Sequence, residues 1–193
     1  IRWSVEACRI ATDREPYLIV PTESEALGQA AGGSPHFIEQ AEPLGTGHAV
    51  LQAAESLAGK SELILVVNAD MPLISSDTLR HLVEEQSGSS HAVTLLTSIS
   101  DQPRGFGRIK RDDAGNIAAI IEEAQASEEE HAIAELNVGA YCFEADWLWD
   151  ALSKVELSPK GEYYLTDVIA IATGDGKGIG TARLEDLDET IGV

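Results

Sequence analysis

Asp70 is the side chain best placed to do chemistry. It follows Leu63-Ile64-Leu65-Val66-Val67, a continuous apolar run of the kind that forms a strand covered on both faces in a parallel sheet. A carboxylate just past such a strand stands in the crevice where open α/β sheets bind ligands. Its hard oxygens suit Mg²⁺, which prefers one or two carboxylates completed by substrate phosphates and water. A simple capping role at the strand end is an equal alternative. Leu44-Gly45-Thr46-Gly47-His48-Ala49 sets two glycines and a threonine where a helix begins, so backbone N–H groups there can donate to a phosphate or a base. No Gly-Lys-Ser/Thr follows, which excludes a Walker loop, and a plain helix cap explains the glycines as well. Gln40 carries an amide that both donates and accepts, as a pyrimidine edge requires. Gly161-Glu162-Tyr163-Tyr164-Leu165-Thr166-Asp167 puts adjacent tyrosines and a threonine into the first turn of an expected helix, where they suit a sugar face and a phosphate. Packing of Tyr163 and Leu165 accounts for the same residues. His36, His48, His81, His91 and His131 have no ligand spacing, and no Ser-His-Asp or Cys-His arrangement is legible.

The elements that must hold these groups follow from periodicity. Residues 1–12 repeat apolar positions at helical spacing, and 17–20 form a short strand that Pro21 ends. A helix over 23–29, a strand over 37–39 and a helix over 47–58 follow. Ser75 caps a helix running to about Gln86, and 91–98 return as a strand. This β-α alternation over 1–100 predicts a doubly wound α/β sheet of Rossmann-like type. After Asp101 the rhythm changes: 107–111 and 116–122 flank Asp112-Asp113-Ala114-Gly115, the turn of a β-hairpin inserted on the sheet. A strand over 134–143, a Trp-rich helix over Ala145–Leu152, a helix over 163–173 and a strand over 178–183 complete a single domain spanning 1–193. Glu128-Glu129-Glu130 reads as a solvated face.

Composition excludes whole classes of function. With 33 acidic residues against 13 basic ones the formal net charge is -20, so the chain lacks the surplus of Lys and Arg that grips nucleic acid or an anionic membrane. No apolar run reaches the length of a membrane span and no signal-peptide pattern opens the chain, so a cytoplasmic location is expected. Cys8 and Cys142 are too few for a disulfide framework and are expected to be reduced, buried and inert. Met71 is the one methionine, and Ile1 already lies inside a helical pattern, so residue 1 is not expected to be the natural start.

Five motifs, in order and spacing, carry a resemblance that covers almost the whole chain: 40–49, Asn68-Ala69-Asp70-Met71-Pro72-Leu73-Ile74, Gly105-Phe106-Gly107-Arg108-Ile109, Glu135-Leu136-Asn137-Val138-Gly139 and 161–167. Together they resemble the sugar-1-phosphate nucleotidylyltransferases, above all the uridylyltransferase domains of the bifunctional bacterial enzymes that make UDP-N-acetylglucosamine. The resemblance implies that Gln40, Gly45 and Thr46 hold a uracil, and that Asp70 binds Mg²⁺ beside the nucleotide. It implies that Gly107, Glu122, Asn137, Tyr164 and Thr166 line a sugar-phosphate pocket. The implied substrates are UTP and N-acetylglucosamine 1-phosphate, whose phosphate oxygen attacks the α-phosphorus and expels pyrophosphate without a protein nucleophile. The family's N-terminal strand and its Gly-rich loop, with a catalytic Arg and Lys, have no counterpart within the chain and are expected upstream of Ile1, and an Asn completing the metal site is expected beyond Val193. Truncation at both ends implies a fragment that binds nucleotide weakly and does not turn it over, and no acetyltransferase activity. Ala124 replaces a family Lys and Val138 a family Thr, which bears on sugar specificity. Another base (dTTP, CTP or ATP), another hexose phosphate, or a homologue that only binds nucleotide sugars are the alternatives; a homo-oligomer is left open. Arg104, Arg108, Lys110 and Arg111 concentrate positive charge in one stretch, yet the motifs assign none of them a phosphate.

Overall fold

The computed structural model describes every residue except Glu23, Arg104 and Val193. In chain order the elements are α1 (Arg2–Thr12), β1 (Tyr17–Pro21), α2 (Glu25–Ala31), β2 (His36–Gln40), α3 (Thr46–Leu51), α4 (Ala54–Leu57), β3 (Leu63–Val67) and α5 (Ser76–Ser87). Then come β4 (Val93–Ile99), β5 (Arg108–Arg111), β6 (Ile117–Ile121), α6 (Glu128–His131), β7 (Glu135–Glu144), α7 (Ala145–Leu152), α8 (Val168–Gly174) and β8 (Ile179–Arg183). Strands β5 and β6 form the expected hairpin, and the mixed α/β class is as expected.

The long strand β7 organises the main sheet, whose order runs β6-β5-β7-β4-β8. One edge of β7 pairs antiparallel with β4. Its opposite edge pairs with β3 through Ala140 to Glu144 and with β5 at Leu136. Strand β3 therefore departs from the parallel pairing expected of its apolar run. The reason is topological: β7 lies between β3 and β4, and since both run antiparallel to β7 they point the same way without touching. Among the described residues β3 carries a ladder only on its β7 side. Strands β1 and β2 pair parallel in a sheet of their own.

Alternation along β7 divides the interior in two. Tyr141 and Phe143 face one core, with Val93, Leu95, Trp147, Leu148, Val168 and Ile169, under α7 and α8. Ala140 and Cys142 face the other, with Leu79, Leu82, Leu96 and Ala7, under α5 and α1. Burial pushes the Cys142 thiol up to about 12 and the Cys8 thiol, at the edge of that core, to about 11, so both stay protonated at neutral pH. The expectation of inert cysteines is consistent with this, although Cys8 is half-buried rather than buried.

Helix α5 begins as its sequence predicts. The Ser75 hydroxyl accepts from the Thr78 N–H at 3.2 Å, and Glu189 accepts from the Ser75 N–H at 2.9 Å, bringing a negative charge to the positive end of the helix dipole. Two other segments are less regular than expected: 47–58 divides into α3 and α4, and the helix expected over 163–173 starts with a 3₁₀ turn at Leu165. No helix among the described residues is long and apolar enough to cross a membrane.

Leu82 is fully buried where α5 meets the sheet. Leu82→Ala is expected to cost ~2–5 kcal/mol of unfolding free energy and Ser75→Ala about 1 kcal/mol, read from urea denaturation curves.

Candidate active site

The Gly-Thr-Gly turn is stitched to the segment that precedes α8. Tyr163 N–H donates to Leu44 O at 2.8 Å, Gly47 N–H donates to Tyr163 O at 2.8 Å, and Leu165 N–H donates to the Thr46 hydroxyl at 3.0 Å. Close approach dictates the glycine: Gly45 has φ +100°, and a Cβ there would stand 2.6 Å from Tyr163 O. The turn begins a helix as expected, with Gly45 as the N-cap of α3, but one of its donors is already taken. Gly47's N–H is spent on Tyr163, so it is not free for a phosphate. Tyr163 and Tyr164 come before the 3₁₀ turn rather than inside a helix.

Gln40, at the end of β2, folds back onto the same turn. Its Nε2 lies 3.1 Å from Gly45 O and 2.9 Å from His48 Nδ1. Gln40, Gly45 and Thr46, separated by a strand end and a loop, thus form one cluster backed by Tyr163, whose ring stacks on His48.

A second cluster gathers round Glu122. The Thr166 hydroxyl donates to Glu122 Oε1 at 2.7 Å. Asn137 N–H donates to Gly107 O at 2.8 Å, and a Cβ on Gly107 would press against Ile120 at 3.0 Å and Ile121 O at 3.3 Å. The Asn137 amide donates to the Tyr141 hydroxyl at 2.7 Å. Glu122's charge reaches further: after desolvation, it helps push up the Tyr141 and Asp167 groups, and it adds to the rise at Tyr164 after burial and the Glu162 contact. Gly107, Glu122, Asn137, Tyr164 and Thr166 are therefore brought together. The segment 163–166 is shared by both clusters.

A bulge in β7 makes this possible. The register against β4 shifts between Leu95↔Tyr141 and Thr97↔Asn137, and Gly139, at φ +83°, lies in the displaced stretch. A Cβ on Gly139 would be 2.6 Å from the Asn68 amide, so the glycine lets the end of β3 approach β7. Asn68 leads directly to Asp70.

Asp70 is exposed and shares its cleft with Met71, Gly105, Phe106, Thr190, Ile191 and Gly192 rather than with Gln40. It makes no ion pair among the described residues, which also hold no cluster of three or more His, Cys, Asp or Glu suited to a metal. That donor set fits Mg²⁺ only as one hard oxygen of a site that substrate phosphates and water must complete.

The basic stretch is neutralised from within. Arg108 is 1% exposed, donates to Phe106 O, and lies 2.5 Å from the Glu123 carboxylate, with His131 at 3.5 Å. Lys110 pairs with Glu130 at 2.8 Å and Arg111 with Glu135 at 2.6 Å. Glu130 also closes a capping box with Ser127, and Lys110 and these bonds hold its carboxyl down at about 2. Part of the acidic run 128–130 is thus structural. The fourth member of the basic stretch, Arg104, lies outside the described residues. The sequence marks Arg108 as part of a basic stretch but not as a buried, paired group, because its partners come from a turn and a helix whose placement is tertiary.

The fold and these clusters define a class. A nucleotidyl transferase family model matches residues 8–186, and the chain belongs to that family. Over nearly all its length it is similar to bifunctional GlmU proteins. It is 41% identical to that of Enterococcus faecalis over 91% of this chain and 38% of the relative, and 41% identical to that of Caldanaerobacter subterraneus subsp. tengcongensis over 100% of this chain and 42% of the relative. The chain spans about two fifths of the length of these curated relatives. A crystal structure of UDP-glucose pyrophosphorylase complexed with UDP-glucose shares the fold, with TM-score 0.69 and 14% identity, over 98% of this chain and 83% of that one.

Glu122→Gln keeps an acceptor for Thr166 while removing the charge that faces Asp167. Asp167's raised carboxyl is expected to titrate lower in that variant, as read from carboxyl-carbon NMR shifts. In the parent, an acid raised on folding is most favourable below its unfolded range and loses that contribution as pH rises through its folded value. The variant should therefore narrow that loss on the same pH axis.

Proposed function

We propose that this domain transfers a uridylyl group from UTP to N-acetylglucosamine 1-phosphate, giving UDP-N-acetylglucosamine and pyrophosphate. The observation that carries the reading is the convergence of Gly107, Glu122, Asn137, Tyr164 and Thr166 into one cluster, sharing the segment 163–166 with the Gln40, Gly45 and Thr46 cluster, in a chain about 40% identical to GlmU proteins. A uridine diphosphate sugar needs that layout: base at one cluster, sugar at the other, and phosphates between them and Asp70.

The chemistry asks the protein for positioning more than for reactive groups. A sugar phosphate oxygen is itself a competent nucleophile, so the catalytic task is to hold it in line with the α-phosphorus and the departing pyrophosphate. The Gln40 amide orients the base. Glu122 and Asn137 offer an acceptor and an amide to sugar hydroxyls and the N-acetyl group, each held in place by Thr166 or Tyr141. The Asp70 carboxylate would hold Mg²⁺, which when bound supplies positive charge to the phosphates. With Arg108, Lys110 and Arg111 each paired to a carboxylate, that metal answers the charge problem of a chain at -20 that takes a polyanionic substrate.

Calorimetric titration tests the assignment. UDP-N-acetylglucosamine is expected to bind more tightly than UDP-glucose. Asn137→Ala should weaken the acetylated sugar nucleotide by about tenfold or more while leaving UDP nearly unaffected. Equal affinity for both sugars, or a preference for ADP- or dTDP-sugars, would transfer the reading to another sugar-phosphate specificity.

For the metal, Mg²⁺ is expected to tighten UTP binding to the parent and to lose that effect in Asp70→Asn. Undiminished Mg²⁺ dependence in the variant removes Asp70 from the metal site.

A further inference from the structure

His48 sits between two amides. On one side Gln40 Nε2 is 2.9 Å from Nδ1, and on the other Gln52 Nε2 is 3.1 Å from Nε2. A neutral imidazole has one N–H and one bare nitrogen, so it cannot accept from both. One amide must present its oxygen instead. Gln40 Nε2 also lies 3.1 Å from Gly45 O, while Gln52 Nε2 lies 3.1 Å from His48 O.

The choice between the two arrangements rests on which amide turns more easily. Gln40 is tied between a stitched turn and the ring. Reversed, it would set its oxygen against Gly45 O, a backbone acceptor that the contacts to Tyr163 hold in place. Gln52 follows the end of α3, away from the turn that Tyr163 holds, and its contact to the ring is the longer of the two, 3.1 Å against 2.9 Å. The consistent pattern has Gln40 donating to both Gly45 O and His48 Nδ1, with the proton on His48 Nε2 facing Gln52 Oε1. The Tyr163 ring, 6.3 Å away at an interplanar angle of 28°, limits rotation of the imidazole out of this plane.

We infer that His48 is a positioning residue that sets base specificity: with Gly45 O it locks the Gln40 amide so that both its N–H groups point inward and only its oxygen is offered to the ligand. This rests on the reading that Gln40 faces the base. Uracil carries a hydrogen on ring N3, whereas cytosine carries a lone pair there, so an amide that turns only its oxygen to that ring position favours the first and repels the second. An amide free to turn over would serve both. The five histidines lack ligand spacing in the sequence, and this one acts through its neighbour rather than on a metal.

Two measurements test the inference. Long-range ¹H–¹⁵N spectra in alkaline buffer, where imidazole is neutral, are expected to show the Nε2–H tautomer for the signals that vanish in His48→Asn. The Nδ1–H tautomer there overturns the lock whether or not any nucleotide binds. Calorimetry then compares UDP with CDP for the parent, His48→Ala and His48→Asn, with unfolding curves to verify that each is folded. The parent is expected to prefer UDP by about tenfold or more, and His48→Ala to reduce that ratio to about two or three. His48→Asn, whose Oδ1 can stand in for Nδ1, should restore most of it. An unchanged ratio in His48→Ala, or an equal loss in His48→Asn, overturns the inference alone. A parent that binds neither nucleotide, or both equally, overturns the uridylyl reading and the inference resting on it.

Discussion

The bulge at Gly139 is the constraint on which the candidate site depends. Strand β7 must pair with β4 on one edge and with β3 and then β5 on the other, and no straight strand meets all three with Asn137 turned toward the pocket. Gly139 supplies the left-handed backbone that takes up the mismatch and leaves room for Asn68. The same short stretch therefore delivers Asn137 to the cluster round Glu122 and allows the chain leading to Asp70 to start where it does. Side chains on either flank of the bulge seal separate cores, Val138 on the α5 side and Tyr141 on the α7 side, so the distortion is held by packing from both layers.

A second theme is the use of non-reactive residues to hold reactive ones. Tyr141, fully enclosed, spends its hydroxyl on Asn137, and Thr166 spends its own on Glu122. In a low-dielectric pocket such bonds reduce the freedom of the amide and the carboxylate, so less ordering remains to be done when a ligand arrives. Arg108 is held in a comparable way, buried against Glu123 and anchoring the turn that follows Glu122. Its charge is taken up by Glu123 inside the fold, so a cation conspicuous in the sequence is not free for a phosphate.

Much of this was legible in the sequence where local rules operate. Ala145–Leu152 forms the expected helix, Leu63–Val67 the expected strand, and Ser75 caps as its type predicts, because periodicity and capping depend on near neighbours. The members of the cluster round Glu122 follow from the motifs that carry the family resemblance, whose order and spacing are local properties of the chain. What local rules could not supply were partners far along the chain. The Thr46 hydroxyl is claimed by Leu165, 119 positions later, and the antiparallel alignment of β3 depends on a strand that begins 68 residues after it ends. The interruption between α3 and α4 likewise has no helix breaker at 52 or 53 to announce it, and α3 docks against 163–165.

The pairing of Arg108, Lys110 and Arg111 with carboxylates of the same chain has a consequence for the molecule in solution. Pairs made inside one molecule leave its net charge of -20 unchanged, so two copies repel over roughly 10 Å at 0.1 M salt. Added salt lowers that barrier. The acidity of the domain thus helps to keep it dispersed at low ionic strength.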